Sequence, residues 1–178
     1  MIEFKDFIGL LIGRKRGGKS VADKANWHAE WTIEKYHGDV CPENLYAVEH
    51  VHNNKLLNEG ITEMLTLLIG GTATPFNNAN SYLGIGDSTT AAAATQTGLQ
   101  AATNKAYIAM DTGYPQVSGQ TVTFRGTAGP AIANFAWKEY TIANGNSDSA
   151  KNFNRKVEDH GVKTSPDSWV LTCTVTQS

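Results

Sequence analysis

Charge is scarce in this chain of 178 residues: Asp, Glu, Lys and Arg together make up 18%. A heavily charged helical surface is excluded by that figure, and Thr, Ser, Asn and Ala fill the gap, which suits sheet surfaces and shell-like interfaces. Cysteine is scarcer still. Cys41 and Cys173 are the only two, far apart and without a partner motif, so neither a disulfide framework nor a cysteine-based zinc motif is indicated. They point to a reduced, cytosol-assembled protein with two small apolar thiols. Long hydrophobic runs are missing too. The apolar run Phe7–Ile12 is short, is interrupted by Gly9 and follows Glu3, Lys5 and Asp6. It fits neither a signal peptide nor a membrane span, so no membrane partner is expected.

What is present is β signal. Asn134–Ile142 is dense in aromatic and β-branched residues, lacks Gly and Pro, and lies between Gly129-Pro130 and Asn144-Gly145. It reads as a strand near the centre of a sandwich. Further strands are predicted over 82–86, 106–111, 121–125, 135–142, 152–157 and 168–176. In the last, Trp169, Leu171, Cys173 and Val175 alternate with Val170, Thr172, Thr174 and Thr176. Asp87–Thr103 reads as a long small-residue loop with at most one helical turn. Near the start, helical spacing links Val21, Ala25, Ala29, Ile33 and Tyr36, whereas period-two spacing puts Trp27, Ala29, Trp31 and Ile33 on one face. The alternation is cleaner and predicts a strand over 26–36. A second extended segment, 45–52, comes after turn chemistry at His37-Gly38-Asp39 and Cys41-Pro42-Glu43-Asn44.

One amphipathic helix is predicted over 55–69, capped by Asn53 or Asn54, with Glu59 early and Gly70-Gly71 ending it. Its stripe is Leu57, Ile61, Met64, Leu65 and Leu68, expected to pack on a sheet. The expected fold is mainly β: an antiparallel β-sandwich or jelly-roll-like domain over 27–178, preceded by an extended N-terminal arm over 1–26.

Charge is segregated along the chain. Residues 1–20 carry five bases against two acids, net +3; residues 21–80 carry three against eight, net −5; residues 81–178 balance at seven each. The arm is apolar at Phe7, Ile8, Leu10, Leu11 and Ile12, then basic at Arg14, Lys15, Arg16 and Lys19. These nine residues are the candidate partner-binding set, the apolar ones by burial or strand addition and the basic ones by charge. The basic cluster can contact an acidic protein surface or, less favoured, nucleic acid phosphates, and a single-strand stacking platform is not indicated, since no aromatics interleave with the charges.

Gly13-x-x-x-x-Gly18-Lys19-Ser20 matches the phosphate-loop pattern, in which glycine N–H groups cradle phosphates, Lys19 reaches the β/γ-phosphates and Ser20 binds magnesium. That chemistry needs a strand–loop–helix in a parallel α/β sheet, whereas the chain beyond Ser20 reads as one firm helix and otherwise β, without crossover helices. His50 and His52 share a strand face near Cys41 in sequence, without a third ligand at a recognised spacing, so no metal site is assigned. Asp148, Glu158, Asp159 and Asp167 read as turn or surface acids. No nucleophile signature is present. The expectation is a protein with no catalytic residues and no cofactor.

Three stretches resemble the wording of structural proteins from tailed bacteriophages: Asn58-Glu59-Gly60-Ile61 entering an apolar helix, Tyr82-Leu83-Gly84-Ile85-Gly86-Asp87-Ser88-Thr89-Thr90, and Gln96-Thr97-Gly98-Leu99. Ala133–Glu139, Asn154-Arg155-Lys156-Val157 and Ser168–Leu171 continue the likeness, which covers roughly 45–178 and leaves the arm outside. The resemblance implies a non-enzymatic virion component assembled in the host bacterial cytoplasm. It implies a capsid decoration or cement protein in the first place, and a tail, neck or fibre component in the second. Its partners would be the major capsid protein or tail and neck proteins, with homo-oligomers on the particle.

Overall fold

The computed structural model describes residues 26–178. The elements in chain order are β1 (Trp27–Tyr36), β2 (Leu45–Val51), β3 (Lys55–Leu56), α1 (Asn58–Leu68), β4 (Tyr82–Gly86), β5 (Lys105–Ala109), β6 (Gln116–Ser118), β7 (Thr121–Ala128), β8 (Glu139–Ala143), β9 (Asn154–Val157) and β10 (Ser168–Gln177). They form two five-stranded sheets, ordered β2-β1-β10-β7-β6 and β3-β9-β8-β4-β5. Every pairing is antiparallel. The fold is a mainly β sandwich with one helix, as the strand spacing predicts.

The core lies between the sheets and arises from alternation. In β1 the period-two reading holds from Trp27 to Lys35 and breaks at Tyr36, where the register shifts: Trp31 and Ile33 are fully buried, with Trp27 and Ala29 packed against the core. β10 pairs with β1 along ten residues, placing Trp31 opposite Cys173 and Ile33 opposite Leu171. Sheet two contributes Leu83, Ile85, Tyr140 and Ile142. Edge-to-face aromatic pairs cross the interior, Trp31 with Tyr140 at 5.1 Å and Trp137 with Trp169 at 4.9 Å between ring centres.

Two predicted elements are corrected. The helix starts at Asn58 rather than Lys55, and neither Asn53 nor Asn54 caps it. Lys55 and Leu56 instead pair with Arg155 and Asn154, and Leu57 N–H donates to Phe153 O at 3.0 Å. Sheet pairing therefore holds the main chain extended up to the helix. Its end is as predicted, with Gly70 at φ +72°. The strand predicted over 135–142 is shorter, since only Glu139–Ala143 joins sheet two, as its middle member. Ala133 takes φ +54°, the Trp137 indole N–H donates to Ala133 O at 2.9 Å, and Trp137 N–H donates to Gly161 O at 2.9 Å. Residues 133–138 thus loop back to seat Trp137 in the core.

The helix is also less buried than its stripe suggests. Leu57 and Gly60 are buried and Met64 packs against the core, but Leu65 is half exposed and Leu68 and Ile69 are exposed. Gly60 decides how close the helix can sit. A Cβ there would lie 2.5 Å from Phe153 Cα and 2.6 Å from Phe153 O.

Candidate functional site

The candidate partner-binding residues Phe7, Ile8, Leu10, Leu11, Ile12, Arg14, Lys15, Arg16 and Lys19 lie outside the described residues, as does the glycine-rich Gly13–Ser20 motif. The described sheets are antiparallel throughout and form no parallel strand–helix–strand unit among the described residues. His50 and His52 do not converge. His50 Nδ1 lies 3.2 Å from Thr32 Oγ1, while His52 Nδ1 lies 3.3 Å from Glu30. Among the described residues no group of three His, Cys, Asp or Glu side chains is placed to hold a metal ion.

The four acids singled out in the sequence are at the surface, each paired locally: Asp148 with Lys105 at 2.6 Å, Glu158 with Lys156 at 3.1 Å, Asp159 with Lys138 at 3.4 Å, and Asp167 with His37 at 3.0 Å. Hydrogen bonds from Lys105 and Tyr107 hold the Asp148 carboxyl below the usual range.

Sequence reading missed the buried charges: Lys163 donates to Gly129 O at 2.9 Å and Asn134 Oδ1 at 2.8 Å, and the others form two ties that join charged partners. In the first, the segment 87–104 lies over the outer face of sheet two. Glu139, on that face, is fully buried and accepts from Gln100 N–H at 2.9 Å, Ala101 N–H at 2.6 Å and Arg155 Nε at 2.7 Å. Arg155 Nη1 donates onward to Thr90 O and Gln96 Oε1, each at 2.9 Å. Gly86, paired with Glu139 in the neighbouring strand, leaves room for the carboxylate, because a Cβ there would collide with Glu139 Oε1.

In the second tie, Lys35 Nζ donates to Glu49 at 2.5 Å and to His160 O at 2.8 Å, and lies 4.3 Å from the Trp169 ring centre. His160 bridges Glu49, through Nδ1, and the Tyr140 hydroxyl, at 2.6 Å from Nε2. Burial alone would push the Glu49 carboxyl up. Hydrogen bonds from Lys35 and His160, with their charge, outweigh it and hold the group below its ordinary value. The histidine belongs to the 158–163 segment, so this network fixes that segment to β1 and β2. A carboxylate, imidazole and phenol in a row look like acid–base machinery, but burial on every side pushes the Tyr140 hydroxyl far upward. The partners of all three are within the fold.

Apart from Val117, Ile132 and Val162, the exposed large apolar residues among the described ones fall on two surfaces. One is the end of α1, with Leu65, Leu68 and Ile69. The other runs along β2 and the turn before it, where Val40, Leu45, Tyr46 and Val48 are 39%, 39%, 42% and 45% exposed. β2 is the outermost strand of sheet one, and no strand among the described residues pairs with its outer side. The sequence predicts an extended segment over 45–52, but only the sheet order makes it an edge.

No known family model, curated protein or solved structure matches this chain.

Proposed function

We propose that this protein is a structural component of a tailed-bacteriophage virion, a non-enzymatic sandwich that decorates or cements the capsid through its N-terminal arm. The observation that carries the reading is the use to which buried charge is put. Glu139 and Arg155 hold the 87–104 segment to sheet two, and Lys35, Glu49 and His160 hold 158–163 to sheet one. Charges arranged this way, fully buried at Glu139 and Arg155 and half-buried at Glu49, fasten loops, which suits a part that must stay rigid under load. A site for turnover needs such groups in a cleft with open coordination.

The phage-like wording of 58–61, 82–90 and 96–99 falls on the helix entry, on β4 and on the fastened loop, all parts of this framework. The arm supplies attachment by apolar burial and by positive charge.

The test is incorporation. Particles assembled with the intact chain are expected to carry it over the head, and those assembled with a chain lacking residues 1–20 are expected to lack it. Normal incorporation of the shortened chain would refute the arm's role. Copies confined to the tail would replace the cement assignment with a tail or neck one.

A further inference from the structure

The outer side of β2 is the open end of sheet one. Natural sheets blunt such edges with short strands, lysine or proline, or cover them. The other edges here are blunted in this way. β3 has two residues and β6 three, while β5 starts with Lys105 and its end lies against β7, where a Cβ on Gly126 would be 2.8 Å from Ala109 O. β2 has seven residues, Leu-Tyr-Ala-Val-Glu-His-Val, with no lysine or proline. Its one buried-side charge, Glu49, is already paired with Lys35 and hydrogen-bonded to His160. Four of the exposed large apolar residues cluster along it or at the turn before it.

Charge marks what fits there. The β1–β2 region, residues 26–52, holds Glu30, Glu34, Asp39, Glu43 and Glu49 against Lys35 alone, net −4 with histidine neutral. The stretch of this chain with the opposite balance is 1–20, net +3, and its Phe7–Ile12 run has the length of a strand that would match β2.

We infer that the free edge of β2 takes up Phe7–Ile12 from a second copy of this chain as an added antiparallel strand. The inference rests on the reading of the arm as an attachment element and places that attachment between neighbouring copies on the particle, so that the arm cements the shell by joining them. Antiparallel addition makes the arm run from the Val51 end of β2 towards the Leu45 end. Arg14, Lys15, Arg16 and Lys19 then emerge beside Asp39 and Glu43 at the hairpin turn, whereas parallel addition would carry them away from both. Phe7–Ile12 alone, fourteen steps or about 50 Å from Asn26, would reach from either copy, and it is Lys19 at the turn that selects a second copy over the chain's own arm. β1 is ten residues long and spans about 33 Å. The seven steps from Lys19 back to Asn26 reach only about 25 Å when fully extended. A chain whose own Lys19 sat at the turn could not return to the start of β1. Each copy therefore offers one arm and one edge, a head-to-tail contact that closes into rings or continues as an array.

The experiment uses full-length chains carrying Leu10→Asp in the arm or Val48→Lys on the exposed edge, where Val48 lies outside the core. Intact protein is expected to sediment as assemblies that dissociate in high salt, and each variant alone as a monomer. An equal mixture of the two should form a one-to-one pair, because one partner keeps its edge and the other its arm. Amide exchange along 45–51 should slow about tenfold or more in the intact protein relative to Leu10→Asp. Monomeric intact protein with arm-dependent protection of β2 would mean the arm folds back on its own chain, and would overturn the inference. So would protection appearing at 65–70 on the helix end, unchanged association of either variant, or a monomer without protection. A monomeric protein that still enters particles would sink this inference and leave the virion reading standing.

Discussion

Glu139 on β8 and Arg155 on β9 meet on the outer face of sheet two, where both side chains are fully buried and Arg155 Nε and Nη2 each lie 2.7 Å from Glu139 Oε2. An ion pair on the outside of a sandwich is ordinarily wet. This one is dry because Leu99 and Ala101 close over it, and the backbone N–H groups of Gln100 and Ala101 complete the carboxylate's bonding. Pair and loop are mutually dependent: the loop excludes water from the pair, and the pair anchors the loop.

Removing one partner strands the other. Glu139→Gln or Arg155→Met is expected to lower unfolding free energy by about 3–5 kcal/mol. Denaturant titration measures that loss, and amide exchange should show residues 87–104 opening first. An effect below about 1 kcal/mol, the size of an exposed pair, would mean that the loop does not seal the site.

Gly60 sets the seat of α1. Gly60→Ala places a methyl group into the Phe153 backbone and is expected to cost on the order of 1–3 kcal/mol, despite alanine's better helix propensity. Ala substitution at exposed Leu68 serves as the control, with little change in the unfolding midpoint. A neutral or stabilising Gly60→Ala would show that the helix does not sit this close to β9.

The Glu49 carboxyl is held below its ordinary value near 4.5, so its contribution is present above that pH and is lost as pH falls through the lower folded value. The intact protein should therefore lose stability progressively below about pH 4.5, and Glu49→Gln should flatten part of that slope while lowering stability at neutral pH. Thermal midpoints measured between pH 3 and 7 decide it. Parallel curves for both proteins would remove Glu49 as a source of the acid sensitivity.

The two thiols should differ. Cys173 is fully buried, and burial pushes its thiol up, whereas Cys41 is partly exposed in the β1–β2 turn. A thiol reagent at neutral pH is expected to modify one cysteine in the native protein and both after denaturation. Rapid modification of two native thiols would contradict the packing of β10.

Alternation, turn residues and glycine placement determined a good deal by themselves. Trp27, Ala29, Trp31 and Ile33 could share a face only in a strand that buries one side, and the Trp169–Val175 alternation says the same of β10. Those signals are local, since a strand's two faces are written in its own residues. Tertiary structure decided the rest. Nothing in 134–142 says that Glu139 and Thr141, on the outer face of β8, will be buried, because a distant loop is what covers that face. Lys55 and Leu56 read as helix until β9 takes their backbone. Leu45–Val51 reads as one more strand until sheet order leaves it outermost. Each outcome depends on which remote segment arrives as neighbour, and a residue's own pattern carries no record of what will cover it.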